Sequence, residues 1–332
     1  MSEPLRLSVV IPLYNEREQI AATLESVVRG LAESESFVGD VIVVDDGSTD
    51  AGGEIARSFA GRLPLRVLTH ENSGRFATRQ SGLEAAQGDF VLFLDAGVVL
   101  VDGGLRFVAE QISEGKAVWN AHTVLEHGGS PFGIFWSVVS ALAFADYVKA
   151  PRTTSFGVAE FDRYPKGTGC FFAPASMLRE AFASFSSAYR DTRYANDDAP
   201  ILRAISTRAP INISPSFACV YRPRGSLVPF LRHAFHRGTV FVDGHGRRES
   251  RFFPLVVGFF PASILLLYGA IREPLVAPAV LVTTGVVAAL AARRQAPSDA
   301  LRFAALAPVY AVAHGLGMWR GLVLAAAKKL HA

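Results

Sequence analysis

Three short apolar runs in this chain stop at or beside acids. Phe90–Leu94 leads without a charge into Asp95, Val41–Val44 leads into Asp45 and Asp46, and Leu7–Leu13 is followed by Tyr14, Asn15 and Glu16. An apolar run of this length that ends abruptly in an acid reads as a buried parallel strand whose C-terminal tip carries chemistry. In open α/β sheets, ligands sit in the crevice beyond those tips. A carboxylate placed there is suited to grip a metal, a ribose or both. The alternative is that Asp95 only caps the next turn, a frequent task for Asp. A further acidic pair, Asp197-Asp198, stands just ahead of the helical run Ile201–Ser206. Acids at a helix start complement its dipole, which explains one of them better than two.

The elements that must position these groups follow from spacing. Leu7–Leu13 is a strand; Asn15 with Glu18 has the capping-box pattern, and Ile20, Leu24, Val27 and Val28 form a helical stripe. Val41–Val44 is a second strand, with a helix through Ile55 to Phe59. Leu65–Leu68 is a third, Asn72–Arg75 a turn, and Ala77–Ala86 a helix with Gly82 inside it. Such alternation predicts βαβ units and a mostly parallel sheet. Right-handed crossovers then bring Tyr14, Glu16, Asp45, Asp46 and Asp95 to one edge. Downstream, Ala117–Val124 is another strand, and Pro131–Val148 is a core helix ahead of an interfacial one. Arg152–Gly167 reads as a mobile loop, Gly167–Phe172 as a buried strand entered through glycines, and Met177–Phe182 as a helix.

Composition sets the frame around that sheet. The 332 residues suffice for one large or two ordinary domains, and 50% are hydrophobic against 19% charged, unevenly spread. A net charge of +3 gives no sign of a nucleic-acid partner. Cys170 and Cys219 are far apart and lack metal-ligand spacing, which argues against a disulfide framework and for a reducing compartment. Met1–Arg6 is polar and Leu7–Leu13 too short for a secretory signal.

Past Arg222 the chain turns basic: Arg222, Arg224, Arg232, Arg237, Arg247, Arg248 and Arg251 outnumber Asp243 and Glu249. The uncharged run 252–271 would span roughly 30 Å as a helix, the hydrocarbon thickness of a bilayer. A second run covers 275–292, and a third, 303–319, either spans or lies in the interface. The expected division is therefore a soluble α/β domain over 1–240, a basic juxtamembrane linker over 241–251 and a membrane domain over 252–332. The arginines at 247–251 and 293–294 place the soluble domain in the cytoplasm.

Taken in order, Leu7–Glu16, Val41–Asp50, Asn72–Leu83 and Gly88–Gly97 resemble the family 2 glycosyltransferases, with their nucleotide-sugar-binding GT-A fold. The resemblance spans about residues 5–240, and the apolar tail is similar to that of membrane-anchored bacterial members that build surface polysaccharides or glycolipids. It implies a nucleotide-sugar donor bound by the positions of Pro12, Tyr14, Glu16, Asp45 and Asp46. Those two aspartates are suited to accept hydrogen bonds from base N–H and ribose hydroxyls, even if Asp46-Gly47-Ser48 is also an Asx-type turn. Arg75 and Arg79, one helical turn apart, face the same way and are suited to phosphate oxygens; the alternative is a solvated helix face, and the family-like pattern with Asn72 and Gly74 favours binding for Arg75.

The pair Asn196-Asp197-Asp198 resembles the family's Glu-Asp, which makes Asp198 the base for an inverting transfer and Asp197 its neighbour. The family's Asp-x-Asp is here Asp95-Ala96-Gly97, so the resemblance implies Mg²⁺ or Mn²⁺ held weakly by Asp95 and the substrate, with Arg75 or the region near Arg237 sharing the charge. Arg232, His233, His236 and Arg237 stand where processive members carry Gln-x-x-Arg-Trp. The tryptophan is absent, so a single transfer is expected, with this basic helix meeting a diphosphate, an anionic lipid acceptor or membrane lipid headgroups. The expected activity is transfer of one sugar to a lipid-linked or polysaccharide acceptor. Its rivals are a polyprenyl-phosphate glycosyltransferase and an inactive nucleotide-sugar-binding assembly subunit.

Overall fold

The computed structural model describes residues 4–34, 36–223 and 225–330; Arg224 and the first three residues lie outside the described residues. Contacts divide the chain into two compact units. One comprises Met1–Val124, Asp146–Ser186 and Asp197–Arg222, the other Leu125–Ala145, Ser187–Asn196 and Pro223–Ala332.

The first unit is built on a sheet. Its opening elements are β1 (Leu5–Leu13), α1 (Ile20–Glu33), β2 (Phe37–Asp45), α2 (Gly52–Arg57), β3 (Leu65–Thr69), α3 (Gly74–Ala85) and β4 (Phe90–Leu94). β1 runs parallel to both β2 and β4, and β2 parallel to β3, as the alternation predicted. The strands alternate strictly between two cores. Val9, Ile11, Val43, Leu92 and Leu94 pack on one face, while Val10, Ile42, Val44, Val91 and Phe93 pack on the other. Burial on both faces is why these runs are continuous rather than alternating in sequence. Gly82 lets α3 lie against β1, because a Cβ there would sit 2.2 Å from a Val10 methyl.

Later elements complete the sheet: β5 (Val98–Leu100), α4 (Gly104–Ser113), β6 (Trp119–Leu125), then, after the helices α5 (Pro131–Ala143) and α6 (Ala145–Val148), β7 (Thr154–Phe156) and β8 (Cys170–Pro174). α7 (Ala175–Ala183), α8 (Asp198–Ser206) and β9 (Ile211–Tyr221) follow. The strand order is β3-β2-β1-β4-β8-β6-β9-β5, with β7 on β9. β8 enters antiparallel against β4, and β6 on β8, β5 on β9 and β7 on β9 are antiparallel as well, so the parallel half of the sheet ends at β4. The stretch expected as a mobile loop is instead pinned: β7 pairs with β9, and Phe156 and Phe161 are buried. The capping box expected at Asn15 and Glu18 does not form either. Asn15 turns away with φ 52°, its Oδ1 accepting from the Thr49 amide at 2.8 Å, and α1 starts at Ile20 without a side-chain cap.

The second unit is helical. To α5 it adds α9 (Leu227–His245), α10 (Phe253–Arg272), α11 (Val276–Ala291) and α12 (Pro297–Leu330). α9 and α12 meet backbone to backbone. A Cβ on Gly238 would lie 1.9 Å from the His314 carbonyl, and one on Gly317 would lie 2.0 Å from that of Phe235. Phe135, Phe230, Phe303 and Tyr310 fill the space beside this crossing. The expected core helix in Pro131–Val148 is α5, which buries Ile134, Phe135 and Val138 there. The expected boundary at residue 240 falls within α9, since the Gly238 contact ties the whole helix to α12.

The apolar tail differs from expectation in its lengths. α10 and α12 are long and apolar enough to cross a membrane, the latter as one helix through Pro308. The second expected span is only 16 residues, α11, or about 24 Å at an α-helical rise. Leu265, Leu267 and Ile271 of α10 are exposed, which suits an apolar surrounding.

Candidate active site

The register of β1 on β2 sets Leu13 beside Asp45, so the two strand ends finish level. Asp45 and Asp46 then leave the sheet. The Ser48 amide donates to Asp45 Oδ1 at 2.9 Å, closing the turn, and Gly47 supplies its φ of +71°. Asp46 reaches the start of α3, accepting from the Ser73 and Gly74 amides at 2.7 and 3.0 Å. The turn acceptor is therefore Asp45, not Asp46, and Asp46 serves the start of α3. Both aspartates are buried. Pro12 is half-buried on β1, Tyr14 is 48% exposed beyond it, and Glu16 accepts from the Gln19 side chain at 3.3 Å.

The deepest charge of the sheet unit is Arg79. It is 1% exposed, donates from Nη2 to Asp95 Oδ1 at 2.6 Å and from Nη1 to Asp197 Oδ2, and leaves its Nε without a partner. Expected as a phosphate ligand, it is spent on carboxylates. Arg75, one turn earlier, is exposed, and its charge reaches both Asp197 and Asp198.

Asp198 opens α8 and is held from the opposite side. The Thr168 amide donates to its Oδ1 at 2.9 Å, as does the Thr168 hydroxyl. The next residue, Gly169, accepts from the Asp95 amide at 2.8 Å, so one short segment ahead of β8 supports both acids. Burial opposes the charge on Asp198, but Arg79, both Thr168 donors and Arg75 outweigh it and hold the carboxyl below its ordinary range. Asp197 goes the other way. Burial pushes its carboxyl up, against the pull of Arg79 and with the help of the Asp198 charge. Side by side, the two acids are pushed in opposite directions, Asp198 below the ordinary carboxylate range and Asp197 above it. Such separation is a mark of functional carboxylates.

The structure thus gathers Asp95, Asp197, Asp198 and Arg75 around Arg79 in the sheet unit, with Asp45 and Asp46 at the end of β2, on the far side of β1 from β4. Arg232, His233, His236 and Arg237 belong to the helical unit, all on α9. There the Arg237 guanidinium lies 4.9 Å from the centre of the Trp136 ring, and His233 packs 5.1 Å from that ring. Sequence reasoning missed Thr168, whose only signal is its place between two glycines ahead of a buried strand.

The sequence profile described as glycosyl transferase family 2 matches residues 8–183, more than half of the chain. The chain belongs to this family. An undecaprenyl-phosphate 4-deoxy-4-formamido-L-arabinose transferase of Aeromonas hydrophila is 39% identical over 94 residues, 27% of this chain and 28% of that protein. A dodecaprenyl-phosphate galacturonate synthase of Rhizobium johnstonii is 35% identical over 96 residues, again 28% of each. The family 2 chain spans little more than a quarter of these curated relatives. S. aureus TarS residues 1–349, solved with UDP-GlcNAc, superposes with a TM-score of 0.52 at 17% identity, covering 90% of each chain. That likeness gives the GT-A fold. Asp197 and Asp198 lie beyond the matched profile, so their case stands on geometry.

Members of the family commonly bind a divalent cation. This family 2 chain offers poor ligands for one. The place of the second acid is Gly97, where a Cβ would face Gln19 Oε1 at 3.0 Å. Asp95 already shares one oxygen with Arg79. Among the described residues, no three His, Cys, Asp or Glu side chains gather as a cation site. Mg²⁺ and Mn²⁺ want several oxygen ligands, and these side chains do not fit them.

Proposed function

We propose that this chain is a membrane-anchored, inverting glycosyltransferase that moves one sugar from a nucleotide-sugar donor to a lipid-linked or glycan acceptor in cell-envelope synthesis. The observation that carries this is Asp198, an ionised carboxylate oriented by Thr168 and grouped with Asp95 through Arg79 and Asp197. In this reading the donor's base and ribose lie along Asp45, Asp46 and Asp95, with Pro12, Tyr14 and Glu16 on the same edge. Asp198 takes the proton of the attacking hydroxyl as the diphosphate leaves. The basic residues of α9 meet an anionic acceptor or headgroup, and α10 and α12 hold the chain in the membrane with the sheet unit in the cytoplasm.

One observation favours a narrower second reading. A carboxyl held below its ordinary range is a weak base, and a phosphate acceptor needs little deprotonation. A polyprenyl phosphate suits that base, and the names of the two bacterial relatives support the same acceptor class. The test is a panel of nucleotide sugars offered with lipid phosphate or lipid-linked glycan to the detergent-purified full chain, following released nucleotide diphosphate. Release with one donor supports the reading; no release with any donor and either acceptor opposes it and favours an inactive binding subunit.

A further inference from the structure

A departing nucleoside diphosphate carries negative charge that something must meet. A divalent cation is the usual means in this family, yet the carboxylate that would hold it is Gly97, and Asp95 is engaged by Arg79. Arg79 itself is not free to replace the cation, because its two terminal nitrogens already serve the buried Asp197 and the part-buried Asp95. The remaining cation beside these acids is Arg75. It is exposed, it forms no salt bridge among the described residues, and its field reaches Asp197 and Asp198. A guanidinium also matches two phosphate oxygens in a way that a point charge does not.

We propose that this centre binds the nucleotide diphosphate and releases it without a divalent cation, with Arg75 supplying the charge that the metal would bring. The division of labour is then between two arginines one helical turn apart. Arg79 fixes the carboxylates, and Arg75 meets the phosphates. The diphosphate leaves by breaking its ion pairs with Arg75, so no ligand exchange at a metal intervenes in release. The inference rests on the nucleotide-sugar reading above.

Binding rather than turnover tests it. The detergent-purified full chain is titrated by calorimetry with UDP, GDP, ADP and the matching monophosphates, in chelator and again in Mg²⁺ or Mn²⁺. The expected result is one nucleoside diphosphate that binds equally tightly in both conditions. Arg75→Gln should weaken it about 10-fold or more, the scale of a charge-assisted hydrogen bond, while shifting the monophosphate much less. Arg75→Lys should recover part of the loss. Gly97→Asp, whose new side chain meets only the movable end of Gln19, should make binding tighten when the cation is added. Diphosphate binding by the native chain that appears only with Mg²⁺ or Mn²⁺ overturns the inference and leaves the donor reading intact. Unchanged affinity in Arg75→Gln overturns Arg75's part. Failure of every nucleotide to bind overturns the donor reading and this inference together.

Discussion

Two neighbourhoods, that of Arg79 in the sheet unit and the α9–α12 crossing in the helical unit, are held together by opposite means. In the sheet unit the most enclosed large polar group is the Arg79 guanidinium, stitched to Asp95 and Asp197. In the helical unit the closest approach is glycine against carbonyl, Gly238 on His314 and Gly317 on Phe235, with aromatic rings around it. The first arrangement is costly to desolvate and weak evidence of stability, since apolar side chains of equal volume often do as well. The second needs no charge and loses little by lacking side chains, because backbone contact replaces them. A protein keeps the first kind where carboxylates must be held for chemistry and the second where helices only need to stay together.

Removing one member of each arrangement should expose that difference. Arg79→Met leaves the buried Asp197 and the part-buried Asp95 without their bound guanidinium and should cost about 3–5 kcal/mol of stability, read from denaturant unfolding of the purified chain. Equal stability would mean that the carboxylates had simply taken up protons. Gly238→Ala forces α9 from α12 and should cost about 1–3 kcal/mol. Combined with Gly317→Ala it should cost less than the sum, because both report one helix separation. Arg6→Ala is the baseline: the Arg6–Asp89 pair is solvent-exposed on both sides and its loss should leave the unfolding midpoint in place.

A finer contrast lies within the acidic pair itself. Asp198 is held below the ordinary Asp value of 3.8, so its ionised form stabilises the fold above that pH, and the gain disappears as pH falls through the lower folded value. Asp197 is raised, so its protonated form stabilises the fold below 3.8, and that gain is lost as pH rises through the higher folded value. Thr168→Val removes one donor from Asp198 and should move the acid limb of the kcat/KM profile upward. An unmoved limb would show that Thr168 does not tune the base.

Much of this was legible in the chain, and the gaps have physical causes. β1, β2 and β4 were readable because burial on both faces leaves apolar runs that end at or beside acids, and β3 because it falls in the same alternation with helices. β9 was not, since Ser214, Pro215 and Ser216 break the apolar pattern, the last two being exposed. Periodicity is local, whereas Arg79 and Asp197 are 118 residues apart. An arginine on a helix one turn from another reads as a second phosphate ligand until the fold surrounds it with carboxylates. Asn15 carried a helix-cap signal, but the turn at Ser48 and Thr49 offered its backbone and side chain better partners. In the tail, hydropathy gave the runs but not their helical lengths, so α11 proved short and α12 long.

The account turns on Asp198 as the base, and Asp198→Asn tests this most directly, being conservative in shape. With the donor that the nucleotide-sugar panel selects, kcat should fall about 10²–10⁴-fold while donor affinity stays at the native value. Turnover retained at the native rate, with donor binding intact, would contradict the account.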